Sequence, residues 1–369
     1  MSPAQAEIQL IAVLTAVACA LPGTFLVLRR MAMLSDAISH AILLGIVAGF
    51  FLTGDLASPL LVVGAALTGL VTVAGVELLQ RTRLVREDAA TGLVFPVLFS
   101  VGVILVSRYA GSVHLDTDSV LLGELAFAPF DRFVVAGRDL GPRGLWLIGA
   151  ILAVDLLVIG LLWKELALST FDPALTAALG FSPVALTYVL MGLVSVTAVG
   201  AFDVVGSILV VALMVAPPAA AWLLTDRLPR MLGLAAGFGA ASAVAGYWTA
   251  HLLDVSIAGA MASMAGLVFA GASMVAPERG VLAVVRRRAR QQREFAETLL
   301  AMHLQTHEGR PEAAEECSLE TLHRHLRWTR ERTLATAARM RRRGLVEEGG
   351  GLLRLTDDGR RRAAEALQR

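Results

Sequence analysis

The sequence predicts an all-α polytopic membrane protein of about eight or nine transmembrane helices, followed by a small winged helix-turn-helix domain. Three observations lead there. Of the 369 residues 56% are hydrophobic and the mean hydropathy is +0.68, outside the range of soluble globular chains. Apolar stretches long enough to cross a bilayer, about 20 residues each, recur as far as residue 276. Charge is unevenly placed. From Arg279 onward there are 20 arginines and 13 acidic residues, about +7, while the rest holds 12 basic and 18 acidic residues, about −6, which together give the net +1.

The apolar stretches fall near 8–28, 34–53, 58–80, 91–108, 145–163, 184–202, 205–225, 231–252 and 256–276. No basic segment precedes the first, which therefore reads as a retained span rather than a cleaved signal. Thr53, Gly54, Asp55, Ser58 and Pro59 leave room only for a tight hairpin between the second and third, and His251 to Ser256 join the last two as closely. Arginine and lysine set the orientation. The short loops at Arg29 and Arg30, at Arg81 to Arg86, at Lys164 and at Arg227 to Arg230 all carry positive charge, as does the tail. Nine alternating spans with the N-terminus outside put all five in the cytoplasm. The 109–144 segment, with Asp116, Asp118, Glu124, Asp131, Arg132, Arg138, Asp139 and Arg143, then lies outside. Gly64, Gly69, Gly75, Gly233, Gly237 and Gly239 are expected to let helices approach closely. Cys19 lies in an apolar run and Cys317 in the basic tail, so no disulfide is expected between them.

Ionisable groups inside spans are costly and face a bundle interior or an aqueous path. Asp36 and His40, four apart, share one helix face and can ligate one divalent ion or hydrogen-bond each other. Asp155 is mid-span, where a helix–helix hydrogen bond is expected. Asp203 lies at the outer junction of the sixth and seventh spans, and His251 and Asp254 flank the outer turn of the last hairpin. The sequence contains no HExxH, CxxC or phosphate-binding loop. The chain is therefore expected to be no enzyme: it is a carrier, a channel or one subunit of a larger pump.

Four segments decide between these. Arg30 to Ala41 (RMAMLSDAISHA), Arg86 to Gly92 (REDAATG), Lys164 to Phe181 with Thr170, Phe171, Asp172, Pro173 and Gly180, and Val205 to Val210 with Met214 to Pro217 resemble, in order, the permease subunits of divalent-metal ABC importers. The resemblance covers about residues 8–277. It implies a multi-pass subunit of a bacterial cytoplasmic membrane that imports divalent metal ions, manganese in the first place and zinc or iron as alternatives, and binds no permanent cofactor. ATP would be used by a separate ATPase subunit, docked on the 164–183 segment through Phe171, Asp172, Pro173 and Gly180. Further partners would be an extracytoplasmic metal-binding lipoprotein or periplasmic protein and a second permease, identical or paralogous. Asp36, His40 and Asp203 become the metal-contact candidates; a carboxylate with one imidazole suits manganese or iron(II) without excluding zinc. His114 to Asp118 and Ala201 to Val205 look closest to the manganese/iron branch.

The composition changes after Pro277. The reading is a transmembrane domain over 1–277, a basic juxtamembrane linker over 278–292 suited to anionic headgroups, and a winged-helix-like cytoplasmic domain over 293–369. Helices are expected near 290–307, 318–326 and 329–343, then a ribbon tipped by Gly349, Gly350 and Gly351, and a last helix from Thr356. Met340 to Val346 and Leu353 to Arg360 resemble the recognition-helix end and wing of diphtheria-toxin-repressor-type regulators. In that setting Arg339, Arg341, Arg342 and Arg343 are candidates for nucleic-acid phosphate contact, but the favoured reading is an interaction or autoregulatory domain that touches the ATPase or the membrane. The metal-binding and dimerisation part of those regulators does not follow before Arg369. His303, His307, Cys317, His323 and His325 do not have the spacing of a compact site and read as surface or core histidines. The expected function is a metal-importer permease. The alternatives are a membrane-tethered metal-responsive transcriptional regulator and a secondary carrier.

Overall fold

The computed structural model describes residues 2–54, 59–109, 125–135 and 138–367. They divide into two compact units, Met1–Gly280 and Val281–Arg369.

In the first unit, nine of the described helices are long and apolar enough to cross a bilayer, with 18 to 26 residues each. In hydrocarbon only a helix or a closed barrel satisfies every backbone N–H and C=O internally, so apolar runs of this length settle as helices. Four come first: α1 (Pro3–Leu28), α2 (Met33–Thr53), α3 (Pro59–Arg81) and α4 (Glu87–Tyr109). After an outer segment follow α5 (Arg143–Leu161) and two short helices, α6 (Trp163–Phe171) and α7 (Pro173–Ala178). The last four are α8 (Pro183–Val205), α9 (Ser207–Leu224), α10 (Leu228–Leu253) and α11 (Ile257–Val275). Each spanning helix falls on one of the nine apolar stretches of the sequence.

The central element is α1, which packs against α5, α8, α9 and α10, while α2 packs on α3, α4 and α8. Of the most apolar 18 residues of α1, 72% are buried, against 17% for α4 and 22% for α5 and α11. The latter three present most of their surface outward. Ile11, Phe25, Leu26, Ile38, Leu190 and Leu213 are fully enclosed at the junction of these helices. A Cβ added to Gly64 would stand 2.5 Å from the carbonyl oxygen of Gly45, so α2 and α3 meet backbone to backbone. Gly69, Gly75 and Gly239 also sit at close helix contacts, but Gly233 and Gly237 face open space. The packing role expected of those two is not what they do.

Between α4 and α5 come a 3-10 turn (Leu125–Phe130) and an antiparallel hairpin, β1 (Arg132–Val135) with β2 (Arg138–Pro142). Arg132 pairs with Asp139 at 2.8 Å and with Glu7 of α1 at 2.9 Å. That second pair holds the hairpin at the N-terminal end of α1, the side on which charge placed both. The Gly141 N–H, and after it the Arg132 guanidinium, hold the Asp139 carboxyl below its usual range. His114, Asp116, Asp118 and Glu124 lie outside the described residues. At the opposite end Arg279 pairs with Asp226 at 2.5 Å, donates to the Trp222 carbonyl at 2.7 Å and lies 4.5 Å over the Trp222 ring. These contacts fasten the chain beyond α11 to the loop after α9.

The second unit contains α12 (Val281–His307), α13 (Ala313–Glu316), α14 (Leu322–His325), α15 (Arg330–Arg342), a hairpin of β3 (Val346–Gly349) and β4 (Leu352–Leu355), and α16 (Asp357–Leu367). Most of the 278–292 stretch expected to be a linker lies inside α12, which starts at Val281 and includes the basic run Arg286 to Arg293. Arginine, glutamine, alanine and glutamate are good helix formers, so nothing in that run interrupts the helix. Gly350 and Gly351, at φ +63° and +80°, form the two-residue turn whose twist suits a hairpin. Ser318 bridges Leu352 at its edge. Leu300, Leu304, Leu322, Met340, Leu353 and Leu355 make the small core.

Candidate functional site

Asp36 and His40 stand one turn apart in the first turns of α2, with His40 Nε2 3.5 Å from Asp36 Oδ1 and both side chains about a third exposed (37% and 34%). The position of Asp36 near a helix N-terminus favours a carboxylate there. Phe95 and Phe99 of α4 flank the imidazole at 5.9 and 6.2 Å between ring centroids. One carboxylate and one imidazole at this separation can share an ion with bonds of about 2.1 Å, leaving most of its coordination to other groups. Asp203 is near the C-terminal end of α8, with Arg143 and Asp131 as its charged neighbours. Among the described residues it forms no three-residue cluster with the pair. Asp155 serves as a helix–helix link: the buried Thr197 hydroxyl on α8 donates to it at 2.9 Å. His251 and Asp254 line a cavity of about 470 Å³ together with Tyr247 and Phe127.

At the C-terminal end of α5 the chain passes into α6 and bends at Asp172. The Leu175 N–H donates to Asp172 Oδ1 at 2.9 Å, capping α7, and Pro173 fills the first helical position, where no N–H is needed. Gly180, at φ +87°, turns the chain toward Ser182, which accepts the Ala185 N–H and caps α8. Phe171, Leu175, Leu179 and Phe181 are left exposed, at 61, 44, 59 and 45%. Exposed apolar side chains of this kind suit a protein or a membrane contact.

Sequence reasoning missed Arg29, which it used only to orient the spans. Its Nε donates to Thr170 at 3.1 Å, one Nη to Thr187 at 2.8 Å and the other to Ser169 at 2.7 Å. One guanidinium thus ties the end of α1 to α6 and to α8. The available signal was the hydroxyl pair Ser169 and Thr170 beside Thr187, acceptors without a carboxylate.

In the second unit the arginines face different ways. Glu297, 2% exposed, receives Arg343 at 2.8 Å, Arg339 at 3.5 Å and Arg362 at 3.8 Å. Arg341 pairs with Glu348 across to β3 at 2.9 Å. Of the four arginines marked as phosphate contacts, two are engaged by a buried carboxylate and only Arg342 has no ion pair among the described residues. The histidines depart from the sequence reading: His303, His307 and His325 converge on Glu316. Cys317 is packed in the core, and burial pushes its thiol up.

Comparison with known proteins gives a consistent result. The family described as "ABC 3 transport family" matches residues 4–276. The "Zinc transport system membrane protein TroD" of Treponema pallidum is 49% identical over 353 residues, 96% of each chain, an alignment that continues into the second unit. The "Manganese transport system membrane protein MntD" of Bacillus subtilis is 48% identical over 284 residues, 77% of this chain and 96% of the relative. Among solved structures, "PsaBC from Streptococcus pneumoniae in complex with Fab" superposes with a TM-score of 0.64 at 26% identity, covering 77% of this chain and 96% of that one.

Proposed function

This chain belongs to the ABC 3 transport family, and from that premise we propose that it is the membrane-spanning permease of an ATP-driven importer of divalent metal ions. The relatives named for zinc and for manganese support those two ions as cargo. Iron(II), with similar ligand preferences, is the third candidate. The separate ATPase supplies the energy, an extracytoplasmic metal-binding protein delivers the ion, and a second permease closes the path. The likeness to PsaBC, whose name joins two components, supports assembly with further subunits.

The observation that carries this reading is the exposed row Phe171, Leu175, Leu179 and Phe181 on the α6–α7 bend, clamped to two spanning helices by Arg29. A rigid knob fixed at both ends passes an ATPase's closure to the bundle, where a flexible loop would absorb it. Asp36 and His40, one face of one helix, form this subunit's share of the metal path. The second permease supplies further ligands, and Asp203 stands at the outer mouth rather than in the same shell.

The second unit resembles a winged helix: α14, a turn and the basic α15, then the β3–β4 hairpin. We assign it to the cytoplasm, where charge orients the tail. The inward ion pairs of Arg339 and Arg343 favour a structural role for this arginine group over phosphate contact, so the transcription-regulator alternative gains no support.

The test is Phe171→Asp in cells that carry the cognate ATPase. Uptake of radiolabelled manganese or zinc should fall at least tenfold while membrane levels of the chain stay unchanged, and the ATPase should no longer co-purify. Retained uptake and retained co-purification would refute the docking role.

A further inference from the structure

We propose that His303, His307 and Glu316 of the second unit, with His325 beside them, bind one divalent transition-metal ion, separately from any ion in the membrane path. His303 and His307, four apart on α12, share one face of the helix, and their rings lie 4.7 Å apart between centroids. Glu316 is the last residue of α13. One donor atom from each of these three residues lies within 4.8 Å of the others. Glu316 Oε2 is 3.3 Å from His303 Nε2 and 3.0 Å from Nδ1 of His325, the last residue of α14. Three separate segments therefore bring side chains to one carboxylate.

The details fit a ligand set better than an ordinary ion pair. The four side chains are sheltered without being sealed: 14% exposed for His303, 22% for His307 and Glu316, 25% for His325. An ion can enter, and the donors are held in place by the fold. Tetrahedral bonds of about 2.1 Å put donor atoms about 3.4 Å apart; the two Glu316 separations are already near that. Nδ1 of His307 is shielded from solvent and has no hydrogen-bond partner, an unusual state for a polar atom. Glu312 Oε2 is 3.7 Å away. His303 Nε2, the nitrogen that faces Glu316, also lies 3.0 Å from the Glu316 carbonyl, a contact it gives up on taking an ion. Imidazoles with one carboxylate select zinc, cobalt, nickel or iron(II) over calcium and magnesium, which take oxygen ligands. Such an ion would clasp α12 to the 313–325 region and make the order of this unit depend on free metal.

The experiment uses the full chain in detergent with cobalt(II) as a visible probe and zinc as competitor. The wild-type chain should hold one more cobalt per chain than Glu316→Gln or the pair His303→Gln/His307→Gln, with ligand-field bands of tetrahedral intensity that zinc bleaches. Those bands should persist in Asp36→Asn/His40→Gln, which separates this site from the membrane path. Where a variant loses its protease-resistant second unit, the unmutated chain supplies the reading. Zinc should then slow carbethoxylation of His303 and His307 at least fivefold, mapped by mass spectrometry. Equal cobalt content and spectra in wild type and folded variants, or no protection of these histidines by zinc, would overturn the site.

Discussion

Asp36 and His40 present one oxygen and one nitrogen toward the same space, 3.5 Å apart and partly exposed within a helix that has no other ionisable side chain. Holding a polar pair there is costly unless an ion or water path uses it. Asp36→Asn and His40→Gln keep size and hydrogen bonding but weaken ligation, so either should lower metal uptake by tenfold or more. ATPase co-purification should be unchanged, and a complex lost with the uptake would point to a folding role instead. The Asp36/His40 spacing was legible because four residues make one helical turn. The Glu297 cluster was not, since it joins α12 to Arg339, Arg343 and Arg362, as far as 65 positions apart. The outer hairpin offers a pH test. Its Asp139 carboxyl lies below the usual value in the folded state, so its ion pair stabilises the hairpin above about pH 4 and is lost as pH falls through the depressed value. Hydrogen exchange over 132–142 should be slow and constant from pH-corrected neutral rates down to about pH 4, then rise. Asp139→Asn should exchange faster throughout, with no such step.

The α6–α7 bend shows what pattern can and cannot deliver at the level of elements. Pro173 and Pro183 fill the first positions of α7 and α8, and Asp172 and Ser182 cap them, as such residues do at helix starts. What held the bend to the bundle was invisible, because Arg29 reaches residues about 140 to 158 positions away. Its planar fork serves three hydroxyls at once, which a lysine ammonium cannot do with the same geometry. Arg29→Lys should therefore keep metal-stimulated ATP hydrolysis above half of the wild-type rate while uptake falls several-fold. Measuring both on one reconstituted sample checks this, and a proportional loss of both would remove Arg29 from the coupling account. In the second unit, helical propensity was legible but its boundary was not. A basic run reads equally as a solvated linker or as a helix face, and only the continuation of α12 from Val281 to His307 decided the matter. The His303, His307 and Glu316 cluster escaped for a related reason, since the turn between α12 and α13 returns Glu316 to a face that linear spacing separates.

Across the whole chain, nine apolar runs and the placement of positive loops led to the same number of spanning helices as the folded unit contains among its described residues. The Arg132–Glu7 pair then places the hairpin at the N-terminal end of α1, as the parity of nine spans requires. The agreement has a physical basis: lipid removes nearly every choice except helix, so length and hydropathy suffice. Packing between the helices was less legible, as Gly233 and Gly237 show, because glycine in a span signals close approach only on the face that meets a neighbour. The outward surfaces of α4, α5 and α11 leave room for lipid and a second permease alike. All of these features converge on import of a divalent metal driven by a partner's ATP hydrolysis. The direct measurement reconstitutes the chain with its ATPase, its second permease and its metal-binding protein in liposomes, with the extracytoplasmic face inward and metal loaded inside. ATP added outside should then export the loaded manganese or zinc from the lumen, with no transport under a proton or sodium gradient alone. Metal movement that follows an ion gradient without ATP would contradict the account.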